Sequence, residues 1–339
     1  MAFHRTSLSG LTLAFAAWLA GPAQAAPTYE LIDLGPNTSA VGINHNGHVV
    51  GKHDRIGGKV GIWRQGAWHK VKDDQWMSAE GIGGQDTVAL ELHRFNGHDG
   101  AGALLPGDQV VDIEPLLPEA YDSSSTAVTS DGTVVGIYYT IGGAYSFTWR
   151  DNAAATLPCP DTYVSCLAYA ASPSKGWIAG IGPRKDAEPW FIAAMLYDGS
   201  AWKDLGTLGG WSADVSGVNR KGHVVGSSEL RPDNHRTHAF VHAGKFMKDL
   251  KTLGGRNSYA YAINSQDVVV GRSEVSKDAE DAAFYWDGSG PMVDLNTLVS
   301  GPKRLHLVDA VGINEDGWIV GNATYWDTYH GYLLKPRSR

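Results

Sequence analysis

Histidine, arginine and aromatic residues gather in a few stretches of this chain, and their types could do chemistry together. His53 stands two residues from Arg55. His93 precedes Arg94 and His98, and Tyr138 adjoins Tyr139. Arg184 lies near Trp190, and His235-Arg236-Thr237-His238 form one run. Arg272 pairs in sequence with Glu274, and Tyr325-Trp326 with Tyr329-His330. Single members follow at Tyr121, Trp211, Arg256, Tyr259, Arg304 and His306. Aromatic rings stack on pyranose faces, and guanidinium grips carboxylate through two parallel hydrogen bonds. The set therefore suits a glycan, including one with carboxylates. His53, Arg55, His93, Tyr139, Trp190, Trp211, Arg272, His306, Tyr329 and His330 form the candidate ligand-binding group. Elimination from a uronate needs a base for the C5 proton, an acid for the leaving oxygen and a cation on the carboxylate. His235 or His238, Tyr259, and Arg236 or Arg256 could fill those roles. The competing reading is solvated loop residues. His238 also belongs to a repeated phrase, with His330 and Tyr145 at equivalent positions, as a contact within the architecture would. Other copies carry Lys59, Ala193 and Ala282 there.

Other chemistry finds no support. There is no Gly-x-Ser-x-Gly elbow, no His-Glu-x-x-His and no phosphate-cradling glycine loop before a helix. Gly206 to Gly210 is glycine-rich but lies between strands. Asp278, Glu280 and Asp281 match no calcium-loop spacing and read as a solvated acidic loop. No cofactor and no metal set is expected. Cys159 and Cys166 are close in sequence, and in an oxidising compartment they read as one disulfide closing a short loop.

What must position these residues is a repeat. Gly42-Ile43-Asn44 followed by Val49-Val50-Gly51 returns as Gly217-Val218-Asn219 with Val224-Val225-Gly226. It returns again from Ala262-Ile263-Asn264 to Gly271 and from Gly312-Ile313-Asn314 to Gly321. Weaker copies end at Gly136 and Gly180, and the weakest runs from Ser78 to Leu90. The seven copies recur at roughly 45 residues, a propeller-blade period. Each reads as four short strands. Strand a is small-residue and ends in Gly-Ile-Asn; strand b carries Val-Val-Gly; strand c is aromatic; strand d carries Asp-Leu. Asn46-Gly47, Asp131-Gly132 and Asp316-Gly317 favour tight a–b turns. The recurring Asn is read as satisfying turn backbone groups. Gly83 replaces it in unit two, Pro173 in unit four, and Asp267 replaces the turn glycine in unit six. The fold class is therefore all-β, a seven-bladed propeller of four-stranded blades. The final unit lacks its Asp-Leu strand, and the orphan Tyr29 to Gly35 can complete it, which removes the exposed edges a linear array would keep. The alternative is an open β-solenoid. The a–b and c–d turns share one short-turn face. The b–c and d–a connections, which hold most of the reactive side chains, share the other, long-loop face.

Asp204-Leu205-Gly206-Thr207-Leu208-Gly209-Gly210 and His238-Ala239-Phe240, with the Ile-Asn and Val-Val-Gly phrases, resemble the extracellular HAF-repeat family, most closely across Asp204 to Gly271. The resemblance implies an exported or surface protein. It is defined by the repeat and implies no activity. Consistently, residues 1–25 read as a signal peptide: Arg5, the apolar run Leu11 to Ala20, then Ala23-Gln24-Ala25. Residues 26–339 are then one propeller domain, secreted or periplasmic, without a transmembrane anchor and expected to be monomeric. The formal net charge is −8, with no basic run, which excludes nucleic acid as a partner class. The expected role is a module binding an extracellular glycan or surface protein on the long-loop face. The alternative is a polysaccharide lyase for uronate-containing glycans.

Overall fold

The structure is a computed structural model and describes residues 27–53, 59–71, 77–94, 97–174, 176–187, 191–232, 236–275, 280–300 and 304–337. The residues of the expected signal peptide, and Arg55, Trp190 and His235, lie outside them.

The repeated phrases become strands because their side chains alternate between two neighbouring sheets. Val49-Val50, Val134-Val135, Val224-Val225 and Val269-Val270 are all buried. Each sheet is antiparallel, in the order a-b-c-d from the axis outward. Blade 1 spans residues 38–70, blade 2 77–112, blade 3 122–156, blade 4 167–206, blade 5 213–249 and blade 6 258–294. Blade 7 uses His306–Ile313, Ile319–Tyr325 and Thr328–Pro336, and takes its fourth strand, Tyr29–Pro36, from the other end of the described chain. In that closure Tyr29 lies opposite Pro336 and Ile32 opposite Leu333. Val299–Ser300 adds a short parallel fifth strand outside it. Tyr29, Tyr332, Leu334 and Tyr285 then share one core between blades 6 and 7. Fully burying each such side chain contributes about 1.5–3 kcal/mol, so closure is a packing event as well as a hydrogen-bonding one.

Every inner strand carries a β-bulge at the same place. The register skips one residue between Ala40 and Gly42, Ala79 and Gly81, Ser125 and Ala127, and Ala168 and Ala170. It does so again between Val215 and Gly217, Ala260 and Ala262, and Ala310 and Gly312. The bulge explains the glycine of Val-Val-Gly. A Cβ on Gly51 would lie 1.9 Å from the Ser39 carbonyl oxygen, on Gly226 1.9 Å from that of Asp214, and on Gly271 2.0 Å from that of Tyr259. Only a residue without a side chain lets strand b pass the bulged strand so closely.

The recurring Asn does more than satisfy its turn. Asn44 Oδ1 accepts from the Asn46 and His48 backbone N–H groups, and its Nδ2 donates to the Gly83 carbonyl of the next blade, 3.0 Å away. Asn219 donates to Asn264, Asn264 to Asn314, and Asn314 to Asn44. This chain of amides joins blades 5, 6, 7, 1 and 2 across the seam. Asp267 stands in the left-handed region, φ 64°, where the sister turns have glycine. Its carboxylate accepts from Asn219, Lys221 and His223 of blade 5, which accounts for the departure from glycine. Asp86 plays the same part for Asn44 and His48.

Two readings need correction. Ser172, not Pro173, holds the Asn position of blade 4: it directly follows the bulged strand, and its N–H closes the a–b turn on the Trp177 carbonyl. The b–c connections of blades 3 and 7 are not long loops. Strands Val134–Thr140 and Gly143–Arg150, and Ile319–Tyr325 and Thr328–Pro336, meet in tight hairpins.

Candidate functional site

The bulge decides what enters the central channel. The unpaired residues at the seven bulges are Val41, Glu80, Thr126, Tyr169, Ser216, Tyr261 and Val311, and all seven line one axial cavity of about 200 Å³. Bulges re-aim side chains in this way and concentrate at functional sites. Below this ring lie Ile43, Ile82, Val128, Val218, Ile263 and Ile313. Most of them also border a separate cavity on the short-turn face, with Asn44, Asn264 and Asn314. These apolar residues thus lie between the two cavities, and the upper one is a cup on the long-loop side.

Two residues before Ser216, Tyr261 and Val311 on their inner strands stand Asp214, Tyr259 and Asp309. Tyr259 lies under the Arg272 guanidinium, 5.0 Å from ring centre to Cζ, and Arg272 Nη1 is 3.3 Å from Asp281 Oδ2. His306 Nε2 is 2.9 Å from the Asp281 carbonyl oxygen. Of the expected ligand-binding residues, the fold therefore brings Arg272 and His306 together, beside Tyr259. Tyr261 and Asp309 join the same electrostatic group.

On blade 2, Ser78 Oγ donates to Glu80 Oε1 at 3.0 Å and stands 3.4 Å from Glu91 Oε2. His93 Nδ1 is 3.0 Å from Asp99 Oδ1. Glu91, His93 and Asp99 place one ligand atom each within 4.8 Å of one another, the one group among the described residues whose geometry could hold a metal ion. Glu80 is open to the channel, yet protein surrounds its carboxyl on the other sides. That desolvation pushes its pKa above the ordinary range, with Glu91 adding to the rise and Ser78 and Lys52 opposing it. Burial likewise raises Asp214, helped by Glu229, and raises Asp309 against the hydrogen bonds it accepts from Asn322. It also raises the phenols of Tyr139, Tyr169 and Tyr261.

Further aromatic side chains stand on the blades outside the cup. Tyr139 belongs to a group with Tyr121, Asp122 and Tyr169. The blade 7 hairpin carries Tyr325, Trp326 and Tyr329; Trp326 is 86% exposed and Tyr329 69%. Trp211 is partly exposed beside Glu229, which its backbone N–H contacts. His53 packs against Trp68, with ring centroids 5.8 Å apart.

The remaining expected residues sit elsewhere. His238 Nδ1 is 2.9 Å from Asp249 Oδ1, and His330 Nδ1 is 2.9 Å from Asp33 Oδ1. In blades 5 and 7 the Asp of the Asp-Leu phrase thus ties strand d to the aromatic strand of its own blade. Burial favours a neutral Asp249, but hydrogen bonds from His238 and Lys251 win and bring it down to about 2. Arg256 meets Glu274 through its backbone N–H, and Arg236 accepts at its carbonyl from Leu230. Cys159 and Cys166 are joined in a disulfide. Sequence reasoning did not pick out Glu80, Tyr169, Tyr261, Asp214 and Asp309. The signal that could have found them is the third residue before the repeated Asn, for Glu80, Tyr169 and Tyr261, and the fifth, for Asp214 and Asp309, where an otherwise small-residue strand turns chemically varied.

The chain matches the family described as "Protein of unknown function (DUF3466)" over residues 101–331, and belongs to it. No curated protein matches the sequence. Among solved structures, YCF48 bound to D1 peptide is 12% identical, with 94% of this chain and 98% of that chain covered and a TM-score of 0.52. The Pyrococcus horikoshii acylaminoacyl peptidase is 10% identical, with 88% and 51% covered and a TM-score of 0.53. A prolyl endopeptidase is 10% identical, with 77% and 42% covered and a TM-score of 0.52. The chain spans about half the length of these two peptidases. The likenesses show the fold.

Proposed function

We propose that this DUF3466 propeller is an exported binding module that receives a glycan at the long-loop mouth of its central channel. The observation that carries the reading is the ring of bulges. A uniform architectural device presents non-uniform side chains, among them one carboxylate and two tyrosines, to one cup. Rings that stack on sugars and polar groups that orient them are what a small-molecule pocket needs. Export is supported by the Ala23-Gln24-Ala25 pattern, by the HAF-like phrases and by the disulfide, which persists in oxidising compartments. No helix among the described residues is long and apolar enough to cross a membrane.

The lyase alternative would draw on Tyr259, Arg272 and His306. Against it, Arg272 is already engaged by Asp281, and Glu80 puts a carboxylate in the cup, a poor field for a uronate. A peptide ligand is a second form of the binding reading, since YCF48, which has this fold along nearly its whole length, is bound to a peptide.

The test is a glycan array probed with the full chain and with Tyr169→Ala and Tyr261→Ala. Defined glycans should bind the wild type and be lost from both variants. An array left blank, with peptides retained instead, would sink the glycan reading. An ultraviolet signal from unsaturated product on uronic-acid polysaccharides would replace it with the lyase.

A further inference from the structure

We infer that the axial cup takes the terminal residue of its ligand, and that this residue is an amino sugar with a free ammonium group held by Glu80. The inference rests on the glycan reading and adds which end and which charge.

The first half follows from the shape of the cup. The apolar belt of Ile43, Ile82, Val128, Ile263 and Ile313 lies between the long-loop cavity and the one on the short-turn face. A hydrated glycan chain finds no polar partner along that belt, so an end rather than a passing chain is what the cup receives. Pockets for drug-sized ligands hold about 300–1,000 Å³, so at about 200 Å³ the cup takes one ring and not several.

The second half follows from what faces the bulge ring. Glu80 is the sole charged member of that ring, and Tyr169 and Tyr261 offer it two aromatic walls from blades 4 and 6. Carboxylate with tyrosine is the chemistry that receives an ammonium, by a charge-assisted hydrogen bond and by attraction to ring faces. Asp214 and Asp309, on the inner strands of blades 5 and 7, add further carboxylates to this side of the ring. The charged groups facing Glu80 are Lys52 from blade 1 and Glu91 and His93 from its own blade. Glu80 and Glu91 are two carboxylates against the single lysine, with the His93 imidazole beside them. An N-acetylated sugar would bring no charge to Glu80, and a uronate would bring the wrong one.

Isothermal titration of the full chain tests this with three ligand series: glucosamine oligomers, the matching N-acetylglucosamine oligomers, and oligogalacturonates. Glucosamine oligomers should bind roughly tenfold more tightly than the acetylated ones, and oligogalacturonates should not bind. Affinity per chain should be the same from trimer to hexamer, because each chain has one end to offer. Glu80→Gln should remove the ammonium preference and leave the weaker acetylated binding in place. Thermal unfolding would show that the variant is folded, and Glu80→Asp should keep part of the preference. The preference should also fade as pH drops through the raised pKa of Glu80.

Equal binding of charged and acetylated series, or a Glu80→Gln variant that keeps the preference, overturns the inference and leaves the glycan reading standing. Affinity that climbs with chain length overturns the terminal mode. No binding to any of the three series overturns the inference and removes its foundation as well.

Discussion

Asn314→Asp isolates the amide link that crosses the seam of the ring. Asn314 Oδ1 accepts from the Asp316 and Trp318 backbone N–H groups at 3.1 and 2.9 Å, and aspartate preserves both. What it removes is the Nδ2 donation to the Asn44 carbonyl at 3.2 Å, and it sets an oxygen against an oxygen at a buried position. A lost hydrogen bond with a buried acceptor left unpaired costs about 1–3 kcal/mol. Asn314→Ala removes all three bonds and should cost about 3 kcal/mol, counting about 1 for each. The assay is urea unfolding at neutral pH, followed by far-ultraviolet circular dichroism and tryptophan fluorescence. Asn314→Asp should lower the midpoint without changing the slope, by less than Asn314→Ala. If Asn314→Asp unfolds like the wild type while Asn314→Ala is destabilised, the turn is the whole role of this Asn and the inter-blade amide chain contributes nothing.

Three further expectations follow from the same structure. Asp249 is held at about 2 in the folded chain, below its ordinary value of 3.8. Its contribution of about 2 kcal/mol is present above the unfolded pKa and lost as pH falls through the folded one. Asp249→Asn should therefore flatten the acid-unfolding curve between pH 4 and about 2, and an unchanged curve would refute the pairing. Gly226→Ala brings a Cβ to 1.9 Å from the Asp214 carbonyl, which should cost more than about 3 kcal/mol or abolish soluble expression; a stable variant of normal melting temperature would mean the inner-strand bulge is not enforced. Tyr29→Ala empties a fully buried site at the ring closure and should cost about 3–5 kcal/mol in chemical unfolding; a cost under 1 kcal/mol would show that the terminal strand is not needed for the closed ring.

The repeat was legible because its architecture is local. Tight turns, paired valines and the glycine after them recur in sequence, since each blade solves the same short-range problem of passing a bulged strand. The terminal strand Tyr29–Pro36 was legible as a missing fourth member, because a blade edge left bare must be covered. The Asp–His ties at His238 and His330 were half legible. The phrases repeat together, but only the pairing of strands c and d showed that one residue type binds the other.

The candidate site was read only in part, for a physical reason. Sequence reasoning pointed to the long-loop face and its aromatic and basic side chains, and the cup lies on that side of the apolar residues. It could not see the bulge, because a bulge is a register slip between two strands and leaves no mark in the composition of either. One skipped residue decides whether Glu80, Tyr169 and Tyr261 pack between blades or face the axis. The sequence by itself determined seven blades and the order of strands within them. Closure in space brought seven bulges from distant parts of the chain around one axis and made a cup of residues that no local pattern joins.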